Sequence, residues 1–90
     1  MTIQKWQDIK GMENSTDIVF INNRGYIGTY GIDAKITSMV LGIALSGMNI
    51  GEMHQNFEIR TPFVDFLEYK KDEFFKKMIN AGYIIKERLI

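Results

Sequence analysis

The stretch DAKITSMVLGIALSGM, residues 33–48, decides the fold that we expect for this chain. Read as a helix, it carries apolar side chains around most of its circumference: Ile36, Met39, Val40, Leu41, Ile43, Ala44, Leu45 and Met48. Such a helix is stable in water only when other elements cover it on several sides. The sequence therefore predicts a buried central helix over residues 33–48, with the rest of the chain packed around it.

One narrow row of this helix carries small side chains. Ser38, Gly42 and Ser46 recur at a spacing of four residues and follow Lys35, so all four lie in one row along the helix. A row of this kind lets the backbone of another element come close, or it is the strip that faces water. The first interpretation predicts self-association of the protein through Ser38, Gly42 and Ser46.

Composition restricts the class of protein. Ninety residues correspond to a single domain, 1–90, and eleven acidic residues balance eleven basic ones. A neutral chain has no long-range attraction to nucleic acid or to an anionic membrane. The absence of cysteine excludes disulfides and thiolate metal sites. The first ten residues lack the apolar run of a signal peptide, and residues 36–50 are too few for a bilayer, which needs about 20. We expect a cytoplasmic protein.

A β-hairpin precedes the predicted central helix. Residues 17–22 contain an unbroken apolar run, which is typical of a strand buried on both faces. The sequence NNRG at residues 22–25 has the residues that tolerate positive φ, and it predicts a tight turn. Tyr26–Tyr30 is then the partner strand, and Asp33 is the expected N-cap of the central helix.

Shorter segments flank these elements. Residues 2–10 are predicted as a short helix or a strand-like arm, with Trp6 anchoring the segment to the body of the protein. Residues 57–60 alternate apolar and charged side chains, which indicates a half-exposed third strand.

A second helix is predicted over residues 62–81. Thr61 and Pro62 suit its cap and first position, and Gly82 suits a left-handed end. Residues 83–90 follow as a fourth strand or a loosely packed tail. An apolar strand of this kind adds an edge to the sheet of its own chain or pairs with a second chain.

The order of elements predicts an α+β fold. Its small, mostly antiparallel sheet of three or four strands packs against the buried central helix (about 33–48) and an amphipathic helix (about 62–81). The expected core is Ile18, Phe20, Ile27, Ile36, Val40, Ile43, Leu67, Phe74 and Met78.

No catalytic set can be assembled from the sequence, so we do not expect an enzyme, a metal or a cofactor. His54 is the only histidine, and Glu52 and Glu58 beside it would give a poor zinc site. Ser46 lacks the surroundings of a nucleophile, so His54 is interpreted as an exposed loop residue.

Three glycines precede the central helix at a regular spacing: Gly25, Gly28 and Gly31. Glycine loops at helix starts can hold phosphate, although this spacing matches no phosphate-binding motif and Asp33 would oppose an anion. The alternative is structural, with Gly25 in the turn, Gly28 relieving crowding in the strand and Gly31 ending it.

Aromatic and basic side chains provide the candidate binding residues. Arg24, Tyr26 and Tyr30 share one side of the second strand, where a flat Tyr-Gly-Tyr surface could stack a base. Alternatively, the rings only cover the sheet. We add Tyr83 and Arg88 of the apolar C-terminal segment as partner-binding residues.

The sequence leaves three candidate functions. The first is a non-catalytic regulator or inhibitor, of the type made by phages and mobile elements, that docks on another macromolecule and self-associates. The second is a nucleic-acid-binding regulator, because the helix end and strand at residues 74–86 have the outline of the C-terminal half of a winged-helix module. The third is a nucleotide or small-molecule binding protein with the glycine-bearing hairpin as its rim.

Overall fold

The computed structural model describes residues 2–13, 16–49 and 60–90. It contains three α-helices and five strands in these ranges, with a short 3-10 turn, Glu68–Lys70, before the last helix. The elements are α1 (Thr2–Glu13), β1 (Ile18–Asn23), β2 (Tyr26–Tyr30), α2 (Gly31–Leu41), β3 (Ser46–Asn49), β4 (Arg60–Leu67), α3 (Lys71–Asn80) and β5 (Ile85–Leu89).

The strands form one sheet in the order β3-β4-β2-β1-β5. β2 is antiparallel to β1 and to β4, and β3 is antiparallel to β4. β5 runs parallel to β1 at the edge. The predicted α+β class with a mostly antiparallel sheet is confirmed. The sheet has one strand more than expected, because β3 comes from the end of the stretch that was predicted to be helical.

The β1–β2 hairpin is confirmed. Its two turn residues, Arg24 and Gly25, have φ of +54° and +90°, which is what a tight hairpin turn between right-twisted strands requires. The Asn22 side-chain oxygen accepts a hydrogen bond from the Gly25 N–H at 3.0 Å and fixes the turn. Ile18–Ile21 are all buried, because β1 lies between β2 and β5 and has helices on both faces.

The two faces of the sheet carry different helices. Phe20 and Ile27 lie on one face, here called the core face, where they pack with Met78 of α3 and with apolar side chains of α2. Side chains alternate along a strand, so Tyr30 lies on the opposite face. Its ring meets the Trp6 ring of α1 edge-on, with centroids 6.1 Å apart. α1 was predicted as a helix or an arm; it is a helix, and Trp6 anchors it.

The central helix is shorter than predicted. It ends at Leu41 because Gly42 adopts a left-handed conformation, with φ of +68°, and donates its N–H to the Ser38 carbonyl at 2.9 Å. The Ser38 hydroxyl donates to the Ile43 carbonyl at 2.6 Å and holds the chain as it leaves the helix. Residues 46–48, predicted as the end of this helix, instead belong to β3.

Other elements cover only one side of α2. Ala34 and Thr37 are buried, and Ile36 and Val40 pack against the core from a partly buried position. Met39, in contrast, is 73% exposed.

The predicted helix over residues 62–81 is wrong for its first part. β4 extends to Leu67, since Val64 is buried and Phe66 packs on the core while Asp65 between them faces the other way. Pro62 is in register with Gly47 of β3, whereas the pairing of β4 with β2 begins only at Phe63, so Pro62 lies outside the ladder with β2. Of the strand predicted at residues 57–60, only Arg60 lies within the described residues, and β4 begins there.

The end of α3 is as predicted. Gly82 has φ of +96° and donates its N–H to the Ile79 carbonyl, while the Tyr83 N–H donates to the Met78 carbonyl. These two hydrogen bonds are those of a glycine-terminated helix.

The C-terminal segment forms a strand within the sheet of the same chain. β5 pairs in parallel with β1 over Ile18↔Ile85 to Asn22↔Leu89. It therefore does not form the hairpin that follows the last helix of a winged-helix module, and α3 follows a strand and a 3-10 turn instead of another α-helix. The helix end and the strand expected at residues 74–86 are present, but their surroundings are not those of a winged-helix module.

The predicted core is largely confirmed. Ile18, Phe20, Ile27 and Met78 form its centre, and Phe74 is also buried. Leu67 is not part of it: this side chain is 45% exposed, because the strand conformation of β4 turns it to the face opposite Phe20. Ile43 follows α2 and is half-buried.

One buried carboxylate joins three elements. Asp33 of α2 accepts hydrogen bonds from the Trp6 indole N–H at 3.1 Å and from the Val19 N–H at 3.1 Å, both on Oδ2. Its Oδ1 pairs with the Lys10 ammonium at 3.1 Å. Asp33 therefore does not cap α2 as predicted, because α2 begins two residues earlier, at Gly31. Gly31 has φ of +57°, and a Cβ there would lie 2.9 Å from the Trp6 ring.

Replacing the buried carboxylate should lower stability strongly. In Asp33→Asn, an amide NH₂ replaces one carboxylate oxygen. It takes the place either of the oxygen that pairs with Lys10 or of the oxygen that accepts from Trp6 and Val19, so buried donors lose their acceptor. We expect a loss of about 3 kcal/mol in the free energy of unfolding, measured by urea denaturation.

The matched control is Asp65→Asn, which changes an exposed aspartate of β4 whose side chain has no hydrogen bond or ion pair to other described residues. It should change the free energy of unfolding by less than about 0.5 kcal/mol. Equal effects of the two substitutions would refute the role of Asp33.

Two fully buried threonines differ in hydrogen bonding. The Thr29 hydroxyl donates to the Val19 carbonyl at 2.9 Å, whereas the Thr37 hydroxyl has no partner among the described residues. We expect Thr37→Val to raise the free energy of unfolding by about 1 kcal/mol, because it removes an unsatisfied polar group. Thr29→Val should lower it by a similar amount. Urea denaturation of both variants tests the difference in sign; destabilisation by Thr37→Val would contradict it.

Candidate functional site

The sheet face opposite the core face carries the candidate site. Tyr26, Gly28 and Tyr30 of β2 lie on it, and we call it the Tyr26 face. Antiparallel pairing sets Leu67, Asp65 and Phe63 of β4 directly beside these three residues. On the other side, β1 places Asn23 next to Tyr26 and Ile21 next to Gly28. α1 packs on this face against β1 and against Tyr30 of β2.

A pocket of about 140 Å³ opens on this face beside Tyr26. We call it the Tyr26 pocket; its lining consists of Ile21, Asn23, Tyr26, Gly28, Tyr30, Phe63 and Asp65. Gly28 makes the pocket possible, because a Cβ there would lie 3.3 Å from a ring carbon of Phe63. The interpretation of Gly28 as a residue that relieves crowding in the strand is thereby supported.

The two tyrosines of β2 have different environments. Tyr26 is 60% exposed, whereas Tyr30 is only 2% exposed. Tyr30 lies between Trp6 and Phe63, and its ring stacks on that of Phe63 with centroids 5.2 Å apart and an interplanar angle of 25°. The expected flat surface of two tyrosine rings is therefore wrong: one ring is exposed, and the other forms a wall.

The other predicted partner-binding residues are spread over the molecule. Arg24 is exposed in the hairpin turn and does not line the pocket. Arg88 is in register with Ile21, which places it on the Tyr26 face beyond β1, and its guanidinium donates to the Glu87 carbonyl at 3.2 Å. Tyr83 packs against the core and so lies on the other side of the sheet. The structure therefore brings Tyr26, Tyr30 and Arg88 to one face and separates Tyr83 from them.

Sequence reasoning missed four residues of the pocket lining: Ile21 and Asn23 of β1, and Phe63 and Asp65 of β4. The helix predicted over 62–81 put Phe63 on an inward face and Asp65 on a solvent face. In the strand, residues two apart share a face, so both lie beside Gly28. The alternation within TPFVDFL, residues 61–67, was the signal that could have identified them.

The row of small residues proposed for self-association is dispersed. Ser38 is in α2 with its hydroxyl bonded to the Ile43 carbonyl, Gly42 ends the helix, and Ser46 begins β3. The helical row was wrong because Gly42 stops the helix. Self-association itself stays a prediction.

The other candidate sites are not assembled in the described ranges. Gly25, Gly28 and Gly31 fall in the turn, in β2 and at the start of α2, so they do not form one phosphate-holding loop. His54, Glu52 and Glu58 lie outside the described residues. Within residues 2–13, 16–49 and 60–90, no group of three His, Cys, Asp or Glu side chains is placed to hold a metal ion.

Comparison with known proteins gives no relative. No protein-family model matches the chain, and no curated protein matches its sequence. The helices in the described ranges are each too short or too polar to cross a membrane. The argument for function therefore rests on the geometry of the Tyr26 face.

Proposed function

We propose that this chain is a non-catalytic, cytoplasmic binding protein, a regulator or inhibitor, that docks on a protein partner through the Tyr26 face. The observation that carries the proposal is an exposed tyrosine beside a pocket. Tyr26 pairs directly with Leu67, which is also exposed, at the margin of the pocket over Gly28. Aromatic side chains next to pockets are the usual centres of protein interfaces.

Binding of nucleic acid or of a nucleotide has less support. Both require contacts to phosphate, and the carboxylate of Asp65 in the pocket repels an anion. Lysines at α3 lie beside carboxylates: Lys71 is 3.9 Å from Glu68, and Lys77 is 3.7 Å from Glu73. A strongly salt-dependent gel shift at low ionic strength would favour nucleic acid instead.

Substitution of Tyr26 tests the docking face. Affinity capture from an extract of the native host, followed by mass spectrometry, should enrich a protein with the wild-type chain. We expect Tyr26→Ala to reduce that enrichment by at least about tenfold, which is the effect of removing a central interface aromatic.

The matched control is Tyr69→Ala. Tyr69 is 78% exposed and lies in the 3-10 turn, so its ring is an equally accessible aromatic outside the pocket lining. This variant should enrich the partner like wild type. Equal enrichment by wild type and Tyr26→Ala would refute the proposed face.

Self-association is the second part of the proposal, and the edge strand β5 supports it. One side of β5 pairs with β1; Leu89 within β5 and Ile84 and Ile90 at its two ends are exposed. The other side of an edge strand has unpaired main-chain groups, with which another chain can pair.

Size-exclusion chromatography with light scattering measures this association directly. We expect wild type to have the mass of two chains, and Leu89→Lys to shift towards one chain because a charge is placed on the edge. Ile79→Lys on α3, which changes an exposed aliphatic side chain away from β5, should leave the mass unchanged. A wild-type mass of one chain at all concentrations would refute self-association.

A further inference from the structure

The walls of the Tyr26 pocket are aromatic. The stacked rings of Tyr30 and Phe63 lie on one side, and Tyr26, four residues before Tyr30 on the same strand, also belongs to the lining. The pocket holds about 140 Å³, whereas sites for drug-sized ligands have about 300–1,000 Å³. The Tyr26 pocket therefore has room for one side chain and not for a large ligand.

One carboxylate reaches this aromatic pocket. Asp65 is the register partner of Gly28, so its side chain starts beside the pocket floor. The Asp65 carboxylate forms no hydrogen bond or ion pair with any residue in the part of the chain that the structure describes. None of the described residues that line the pocket is basic.

Along the row of residues that are paired across the sheet with Asp65, the nearest positively charged side chain lies on another strand. The cross-sheet row runs Asp65, Gly28, Ile21, Arg88, so two strands separate the arginine from the aspartate. Neighbouring strands are about 4.8 Å apart, and the Arg88 guanidinium donates to the Glu87 carbonyl. The chain therefore places a negative charge among aromatic rings and leaves its neutralisation to another molecule.

We infer that the Tyr26 pocket receives a lysine or arginine side chain of the protein partner, an inference that rests on the proposed docking function. The aliphatic stem of such a side chain packs on the rings, its cation is attracted to the ring faces, and its charge pairs with Asp65. An anionic side chain meets repulsion from Asp65, and an apolar one leaves the carboxylate unpaired.

A library of short random peptides, displayed on phage and selected on the wild-type protein, provides the probe. We expect the selected peptides to share one lysine or arginine. Replacing that residue by glutamine should weaken binding to wild type by about tenfold and binding to Asp65→Asn by only about twofold. The ratio, about fivefold, is the coupling expected for a partly exposed ion pair.

Two variants control the experiment. Asp72→Asn changes an exposed aspartate of α3 that does not line the pocket, and it should show the same tenfold loss as wild type. Tyr26→Ala should bind the selected peptides weakly whether or not they carry the basic residue.

The outcomes separate this inference from the docking proposal. Peptides that depend on Tyr26 but share no basic residue, or that lose equal affinity for wild type and Asp65→Asn, overturn the cation and leave the docking face standing. Binding that is unaffected by Tyr26→Ala, or a selection that yields no binding peptide, overturns both. The inference is supported if the basic residue of the peptide is coupled about fivefold to Asp65 and is not coupled to Asp72.

Discussion

The carboxylate of Asp33 is the constraint on which the arrangement of the molecule depends. It is buried, and its three donors come from α1 and from the main chain of β1. A buried carboxylate is tolerated only when its oxygens are paired, so the helix and the strand must meet at Asp33. The indole that donates to Asp33 also meets the Tyr30 ring, and Tyr30 in turn stacks on Phe63. The wall of the Tyr26 pocket is thus connected to the centre of the fold by continuous contacts.

Local signals made part of this fold predictable. The hairpin has both an unbroken apolar run and a turn that requires positive φ, and Gly82 ends α3 for the same backbone reason. The stretch 62–81 carries two competing patterns. Phe63, Leu67, Phe74 and Met78 have helical spacing, whereas residues 61–67 also alternate. Residues 61–67 form a strand because they pair with β2 and β3, and this pairing cannot be deduced from local sequence preferences.

The site was only partly predictable for a related reason. Tyr26 was identified because it lies in a secure hairpin, but the burial of Tyr30 depends on Trp6, which is distant in sequence. Phe63 and Asp65 enter the site through the register of β4 on β2. The role of Asp33 was also missed, since its donors lie 14 to 27 residues away and no motif connects them.

The position of β5 has a consequence for how the chain folds. The partner of Ile18 on that side of β1 is Ile85, so the second ladder of β1, an inner strand of the sheet, forms only when a segment distant in sequence arrives. Closing so long a loop costs entropy before any contact compensates for it. Proteins rich in such distant pairings fold slowly, and a nascent chain exposes the open side of β1 to other molecules until β5 has been synthesised.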